Sequence, residues 1–545
     1  MVLRTTSCPL LLRGFWKFLI DDNRESAISV LLICSLFEVT IGQTTSQNFV
    51  QTKTYKQTNA NPTDAKQVNT TVEYADGLGR PLQTVQAVSS PTGKDVVSFV
   101  QYDAYGRQTQ QFLPFTATGA GAYQANPDGT QAGFYGSNAP ALDASDTGRP
   151  WADIGFENAP LNRPVSQRAA GNLSATATTH YGTNGGEVNR YLFQPHANLY
   201  ATVAQNGTHP AHTLTYVEIT DESGRVSRVY QDSDGLTLLK RVYASPDVLD
   251  TYYVYDVLNR LRAVLQPEAQ GRPLDANTLK HYAFLYRLDY RGRTVTKQVP
   301  GADTVQMIYD QYDRLIMTQD GVQRTAAPQR WSFTKYDAQN RPVLTGETTT
   351  PPPTNGINRG HHETRLGGAG YTLTQTDPVV SETDLLTVTF YDDYAWGVPT
   401  HLTALTTATG QRSVVQGMTT GGRTRMLPAL GGTGAWLAHV TYYDAEYRPI
   451  QTLRDLHDLG PNAVERSTTT YRYDLAAVAA TQHTEQLNLS TGNYTHLQTY
   501  TYDHADRLLS IKDSLNTPFG GKGAFTAAHR YTELGLLQTQ WLHSA

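Results

Sequence analysis

Apolar and aromatic side chains alternate with polar ones over short runs along most of this chain, and the runs end at recurring clusters of Asp, Gly, Asn and Arg. Tyr253-Val254-Tyr255-Asp256-Val257-Leu258-Asn259-Arg260-Leu261 shows the pattern at its clearest. Tyr253 and Tyr255 lie two apart, so in a strand they share one face of a pleated, half-buried sheet. Asp256 ends the strand, because its carboxylate accepts from backbone N–H groups two residues on. Asn259 tolerates the positive φ of a tight reversal. Arg260-Leu261 opens the return strand, and the whole reads as one β-hairpin.

The same Asp-x-x-(Gly/Asn/Asp)-Arg spacing begins at Asp76 (Gly79), Asp103 (Gly106), Asp221 (Gly224), Asp289 (Gly292), Asp310 (Asp313), Asp337 (Asn340) and Asp503 (Asp506). Average composition would give roughly one such match or fewer. Asp444 to Arg448 keeps the frame with Tyr447 at the turn position, and Tyr473-Asp474 and Tyr531 to Leu536 read as degenerate copies. Each unit is one hairpin plus its connection, and a lone hairpin cannot bury its faces in water. The predicted fold is therefore all-β: tandem antiparallel hairpins over residues 169–545, each paired with its neighbours in a long sheet that must curl. The rhythm is interrupted at about 346–385, which holds Pro351-Pro352-Pro353, Gly356 and Gly367-Gly368, and again at 409–436.

Composition sharpens this reading. With 33 Tyr against 15 Phe, and 44 Gly, the chain suits sheet whose aromatic faces are partly covered. A net charge of −5 gives no support to a nucleic-acid or anionic-membrane partner. The two cysteines, Cys8 and Cys34, stand at the beginning, so the body has neither a disulfide framework nor a Cys-based metal site. The apolar run from Ala27 to Phe37 is too short to span a bilayer, and small and polar residues follow it as far as Gly42-Gln43-Thr44. It reads as the core of a signal peptide within a leader at 1–44, which predicts export and a mature start near Gln43.

Residues 45–168 have a different texture and are read as a small β-rich N-terminal domain. Asn48 to Tyr55 is its opening strand, the segments 72–85 and 99–107 are two hairpins, and Phe156 to Val165 closes it. Between them, residues 116–150 are rich in Gly, Ala, Asn and Pro and read as an irregular excursion.

The Tyr-x-Tyr-Asp-x-x-Gly-Arg frame resembles the YD repeats of RHS (rearrangement hot spot) proteins and the related shells of bacterial toxin complexes. Asp-Gly-Leu-Gly-Arg-Pro, Tyr-Asp-Ala-Tyr-Gly-Arg and Asn-Ala-Pro-Leu-Asn-Arg resemble the uncharacterised domain that precedes YD repeats in secreted bacterial RHS proteins. The resemblance covers roughly residues 47 to 545. It implies a spiral wall enclosing a hollow, followed in complete members by a core domain with an aspartyl self-cleavage site and a variable toxin. Neither is visible here, so the expectation is a short or split member. Its strands near Tyr500 to Ile511 and Tyr531 to Trp541 are then expected to present unpaired edges that self-associate or accept a downstream core/toxin polypeptide.

Candidate chemistry is sparse, and no catalytic, cofactor or metal residues are assigned. His361-His362-Glu363 lacks the paired histidine spacing that places two ligands on one helix face, and reads as a solvated loop. Gly520-Gly521-Lys522-Gly523 lacks the spacing and hydroxyl of a phosphate loop, and no Gly-x-Ser-x-Gly elbow occurs. Asp392 and Asp393 point to opposite faces of a strand, so they cannot converge on a glycosidic bond. The repeated Asp and Arg could ligate sugars or Ca²⁺, but a residue required at every turn is more simply a turn former, with Arg bridging the hairpin or covering aromatic surface. The reading is a non-enzymatic, secreted or surface-exposed scaffold. The alternative is an adhesin that binds carbohydrate or a cell-surface ligand through Tyr252, Tyr290 and Tyr312.

Overall fold

The computed structural model describes residues 2–7, 47–137, 148–171, 175–353, 360–368, 370–403, 411–427, 434–456, 463–472, 480–489, 492–517 and 522–542. The apolar core of the expected leader lies outside them, as does the Tyr473-Asp474 turn. Strand makes up 50% of the structure and helix 8%. No helix among the described residues is long and apolar enough to cross a membrane.

Two sheets carry the architecture. The first has six antiparallel strands in chain order: Val2–Ser7, Asn48–Tyr55, Val68–Ala75, Pro81–Gln86, Asp95–Phe99 and Phe115–Ala117. Its inward positions alternate, as a half-buried sheet requires: Val72 and Tyr74, Val85, then Val97 and Phe99. Phe134 and Tyr135 of the helix Pro127–Ser137 cover them. That helix corrects the expectation of an irregular excursion at 116–150. Asn126 precedes it and accepts from the N–H of Gly129 at 3.2 Å, Pro127 takes the first position and Asp128 lies in the first turn. Tertiary burial of two aromatic rings outweighs the helix-breaking glycines.

The second sheet contains twenty-five antiparallel strands. It starts with Gln110–Phe112, Trp151–Phe156, Pro164–Arg168 and Thr176–Thr183, continues through Thr215–Thr220, and then follows hairpin order to Leu537–Trp541. Because Pro164–Arg168 pairs with Thr176–Thr183, hydrogen bonding is continuous across residue 168. The division between sheets therefore falls near residues 110–117. The Asp-turn rhythm stops at 409–436 but the sheet does not, since Val414–Arg425 is a twelve-residue strand within it.

Connections cover one face of the long sheet. The hairpin Asn189–Phe193/Val203–Thr208 and the helix Ala276–Tyr282 pack with Tyr230, Leu239, Tyr252, Val254, Ala263, Leu265 and Leu285. A second cluster joins Met317, Phe333, Leu344, Val388, Phe390, Val440 and Leu453 to Tyr371, Trp396 and Leu402 from connecting segments. The interruption at 346–385 contributes to this cover. Glu363, expected in a solvated loop, is fully buried: Lys335 Nζ donates to it at 2.7 Å, and Thr372, Thr376 and backbone N–H groups satisfy its remaining lone pairs. Burial opposes ionisation of Glu363, but the bonds from Lys335 and Thr372 outweigh it and hold the carboxyl below the usual carboxylate range.

Candidate functional site

The turn ends of the hairpins are where the sequence concentrates its repeated polar chemistry, and each is built the same way. Asp256 Oδ1 accepts from the N–H of Leu258 at 3.0 Å and of Arg260 at 3.1 Å, while Oδ2 accepts from Arg260 Nε at 2.9 Å. Asn259 has φ 58°, and the strand register slips by one residue at Tyr255, so the unit is a three-residue turn closed by a bulge. Asp76, Asp103, Asp221, Asp289, Asp310, Asp337 and Asp503 make the same bonds. The fourth residues Gly79, Gly106, Gly224, Gly292, Asp313, Asn340 and Asp506 all have φ between 62° and 83°. Asp444 does likewise with Tyr447 at φ 62°.

The carboxyls of Asp76, Asp103 and Asp221 lie below the usual carboxylate range. The first cause in each is the backbone N–H of the arginine four residues on. Partial desolvation opposes the shift.

Six of the turn arginines, and Arg163 beside Glu157, also reach a tyrosine of the next hairpin, a feature that spacing alone did not reveal. Arg107 lies over Phe156 instead, and Arg225 and Arg260 make no such ring contact among the described residues. The guanidinium carbons of Arg80, Arg163, Arg293, Arg314, Arg341, Arg448 and Arg507 lie 4.3–5.8 Å from the ring centroids of Tyr102, Tyr181, Tyr309, Tyr336, Tyr391, Tyr471 and Tyr531. Each of these tyrosines donates its hydroxyl, at 2.8–3.1 Å, to the carbonyl of the residue that follows its arginine. Turn, arginine and tyrosine thus form a lock between consecutive hairpins.

The far end of the long sheet is held by the N-terminal sheet. Lys56 Nζ lies 2.6 Å from Asp506 Oδ2, with both side chains 3% exposed or less. Arg507 Nη1 donates to the carbonyl of Ser89 at 2.7 Å, His504 Nε2 lies 2.9 Å from the carbonyl of Val88, and Thr92 donates to Glu533 at 2.7 Å. Leu534 packs against the core of the N-terminal sheet. The last two turns are therefore engaged, Gly492–Tyr502 and Leu508–Asn516 are paired on both sides, and Leu537–Trp541 pairs with Lys522–Tyr531 alone among the described strands. Sequence spacing could not show the engagement of the turns, because the partners lie some four hundred residues apart.

The candidate ligand-binding tyrosines separate. Tyr290 is 87% exposed at a turn tip. Tyr312 is half-exposed and lies against His361, centroids 4.1 Å apart. Tyr252 is buried beneath the Asn189–Phe193 hairpin, so its expected exposure is corrected: it points to the covered face, opposite Tyr253 and Tyr255. Asp392 and Asp393 do not converge either, being paired with Arg341 and Arg365 respectively. No group of three metal-ligating side chains occurs among the described residues.

Residues 47–188 match a protein family described as "Domain of unknown function (DUF6443)". The match begins where the N-terminal sheet resumes and ends beyond the first strands of the long sheet. No curated protein matches the chain. Among solved structures it is similar to TcdB2-TccC3 without the hypervariable C-terminal region, at 14% identity and a TM-score of 0.44, covering 91% of this chain and 23% of that one. It is also similar to the Photorhabdus luminescens Tc holotoxin pore carrying a TccC3 point mutation, at 13% identity and a TM-score of 0.37, covering 91% of this chain and 26% of that one. The chain thus spans about a quarter of the length of these structures.

Proposed function

We propose that this chain is a structural scaffold of the RHS type, a curved wall built from YD-like hairpins, with no catalytic role of its own. The observation that supports the reading is the row of Asp–Arg–Tyr locks. They tie hairpin to hairpin at many points of one sheet while using the repeated acids and arginines for structure. The partner proposed is a downstream core or toxin polypeptide, and the proposed site of action is outside the cell or at its surface. Co-expression with the polypeptide encoded immediately downstream, followed by protease digestion, tests the partner. Protection of that polypeptide is expected, whereas digestion at the rate of the free polypeptide overturns the reading. N-terminal sequencing of native material tests export. Cleavage near Gln43 also removes Val2–Ser7 and leaves Asn48–Tyr55 as an edge strand.

An adhesin remains the second reading, favoured by the exposure of Tyr290 and Tyr105 at neighbouring kinds of turn tip. Carbohydrate stacking through them predicts glycan-array binding that falls on Tyr290→Ala. Tyr252 has no part in it.

A further inference from the structure

One turn breaks the rule of the others. Asp232 Oδ1 accepts from the N–H groups of Asp234 and Leu236 at 3.0 and 2.9 Å, and Gly235 has φ 80°, so the Asp-turn is complete. The residue four positions on, however, is Leu236 where the other Asp-turns of this kind among the described residues carry arginine. The rest of the lock persists: Tyr255 donates its hydroxyl to the carbonyl of Thr237, the residue after Leu236, at 3.1 Å.

The turn at Asp310 shows what is missing. There Arg314 Nε donates to Asp310 Oδ2 at 2.7 Å, Nη1 donates to Asn340 Oδ1 at 2.9 Å, and the guanidinium lies 4.7 Å from the centroid of Tyr336. By position in the repeat, Asp232, Tyr255 and Asn259 correspond to Asp310, Tyr336 and Asn340. With Leu236 in place of the arginine, no guanidinium lies on Asp232 Oδ2 or over the Tyr255 ring among the described residues. Asn259 turns its amide nitrogen to Asp234 Oδ2 at 3.3 Å, which leaves its Oδ1 without that arginine donor. Asp232, Leu236, Tyr255 and Asn259 all line one cavity of about 300 Å³, to which Asn189 and Tyr191 also contribute.

We propose that this cavity is a receptor for a guanidinium group, filled by an arginine side chain of a partner polypeptide that replaces in trans the arginine this repeat lacks. The recognition chemistry is the one the chain uses repeatedly in cis. A planar, permanently charged fork donates to a carboxylate and an amide oxygen while its face stacks on a tyrosine ring. Lysine fits less well, since a point charge cannot make the two directed bonds and stack at once. Arg190 and His209 also line the cavity. Neither is hydrogen-bonded to Asp232 among the described residues; the charge of Arg190 opposes a cationic occupant, so binding rests on the Asp232 carboxylate, the Asn259 amide oxygen and the Tyr255 ring.

The test uses the full chain and N-acetyl-arginine amide, with N-acetyl-citrulline amide as the neutral isostere and agmatine as a free guanidinium, followed by titration calorimetry or tyrosine fluorescence. Saturable binding of the arginine amide, at least about tenfold tighter than the citrulline amide, is expected. Leu236→Arg is expected to fill the cavity in cis, abolish binding and leave the thermal midpoint unchanged or higher. Asp232→Asn keeps the turn-forming acceptor and is expected to weaken binding at least tenfold. Equal binding of arginine and citrulline amides, no saturable binding, or unchanged binding by Leu236→Arg would each overturn the receptor. Binding of agmatine without the arginine amide would overturn the polypeptide source. None of these readouts depends on the chain being a shell.

Discussion

At Asn259 the φ of 58° falls in the left-handed region, where a Cβ-branched side chain clashes with its own backbone. Asn259→Val is expected to destabilise by about 1–2 kcal/mol in denaturant titration, while Asn259→Gly is tolerated. The Asp carboxylates set a pH window. Because the folded-state carboxyls of Asp76, Asp103 and Asp221 lie below their unfolded values, their stabilising effect is complete above about pH 4 and is lost as pH falls through the folded values. Thermal midpoints should be flat from neutral pH down to that point and then drop, and replacing an Asp of this set by Asn should flatten the drop. The turns were legible in the sequence because Asp, a left-handed residue and Arg occur at fixed spacing, each for a local reason. Asp232 was not, because Leu236 stands at the fifth position, where the repeated spacing has arginine. Asp232-Ser-Asp-Gly235 carries the turn signal without it.

At the scale of the element, each lock adds only a modest cation–π contact of about 0.5–1 kcal/mol and one hydroxyl bond. Repeated along the sheet, such contacts couple nearest neighbours, as in other repeat arrays. The interruption at 346–385 is anchored differently, by Lys335 and Glu363 in a site with no exposed side-chain surface. Lys335→Met leaves an uncompensated buried carboxylate and should cost about 3–5 kcal/mol, whereas Lys335→Met with Glu363→Leu should recover much of that loss. Urea titrations of the three proteins give the comparison. Neither the burial of Glu363 nor the helix Pro127–Ser137 could be read from local pattern, since Gly- and Pro-rich composition signals a loop and both depend on distant packing. The alternation that announces a sheet was legible. The connections that bury Tyr252 and cover one face were not, because periodicity does not say which face a connection crosses.

For the whole molecule the question is what holds the two ends of so long a sheet. An unpaired end is a template for association, and the repeats alone predict one. Leu537–Trp541 pairs on one side only among the described strands, and beside that edge the structure clamps the turns Asp503–Arg507 and Thr532–Leu536 onto the N-terminal sheet through Lys56, Val88, Ser89 and Thr92. Lys56 is the centre of that clamp, because its ammonium is fully buried against Asp506, which also accepts from Arg472 at 3.0 Å. Lys56→Met keeps the length of the side chain and removes the charge. It should cost about 3–5 kcal/mol, as for other broken buried pairs, and act at the far end of the chain. The expected result is faster proteolysis within Tyr531 to Trp541 and a rise in scattering mass at micromolar concentration, with the wild-type chain monomeric and protected there. If Lys56→Met melts earlier but stays monomeric with that segment still protected, the N-terminal sheet merely packs against the last repeats and does not restrain them. If the wild type itself associates, the clamp leaves an edge open.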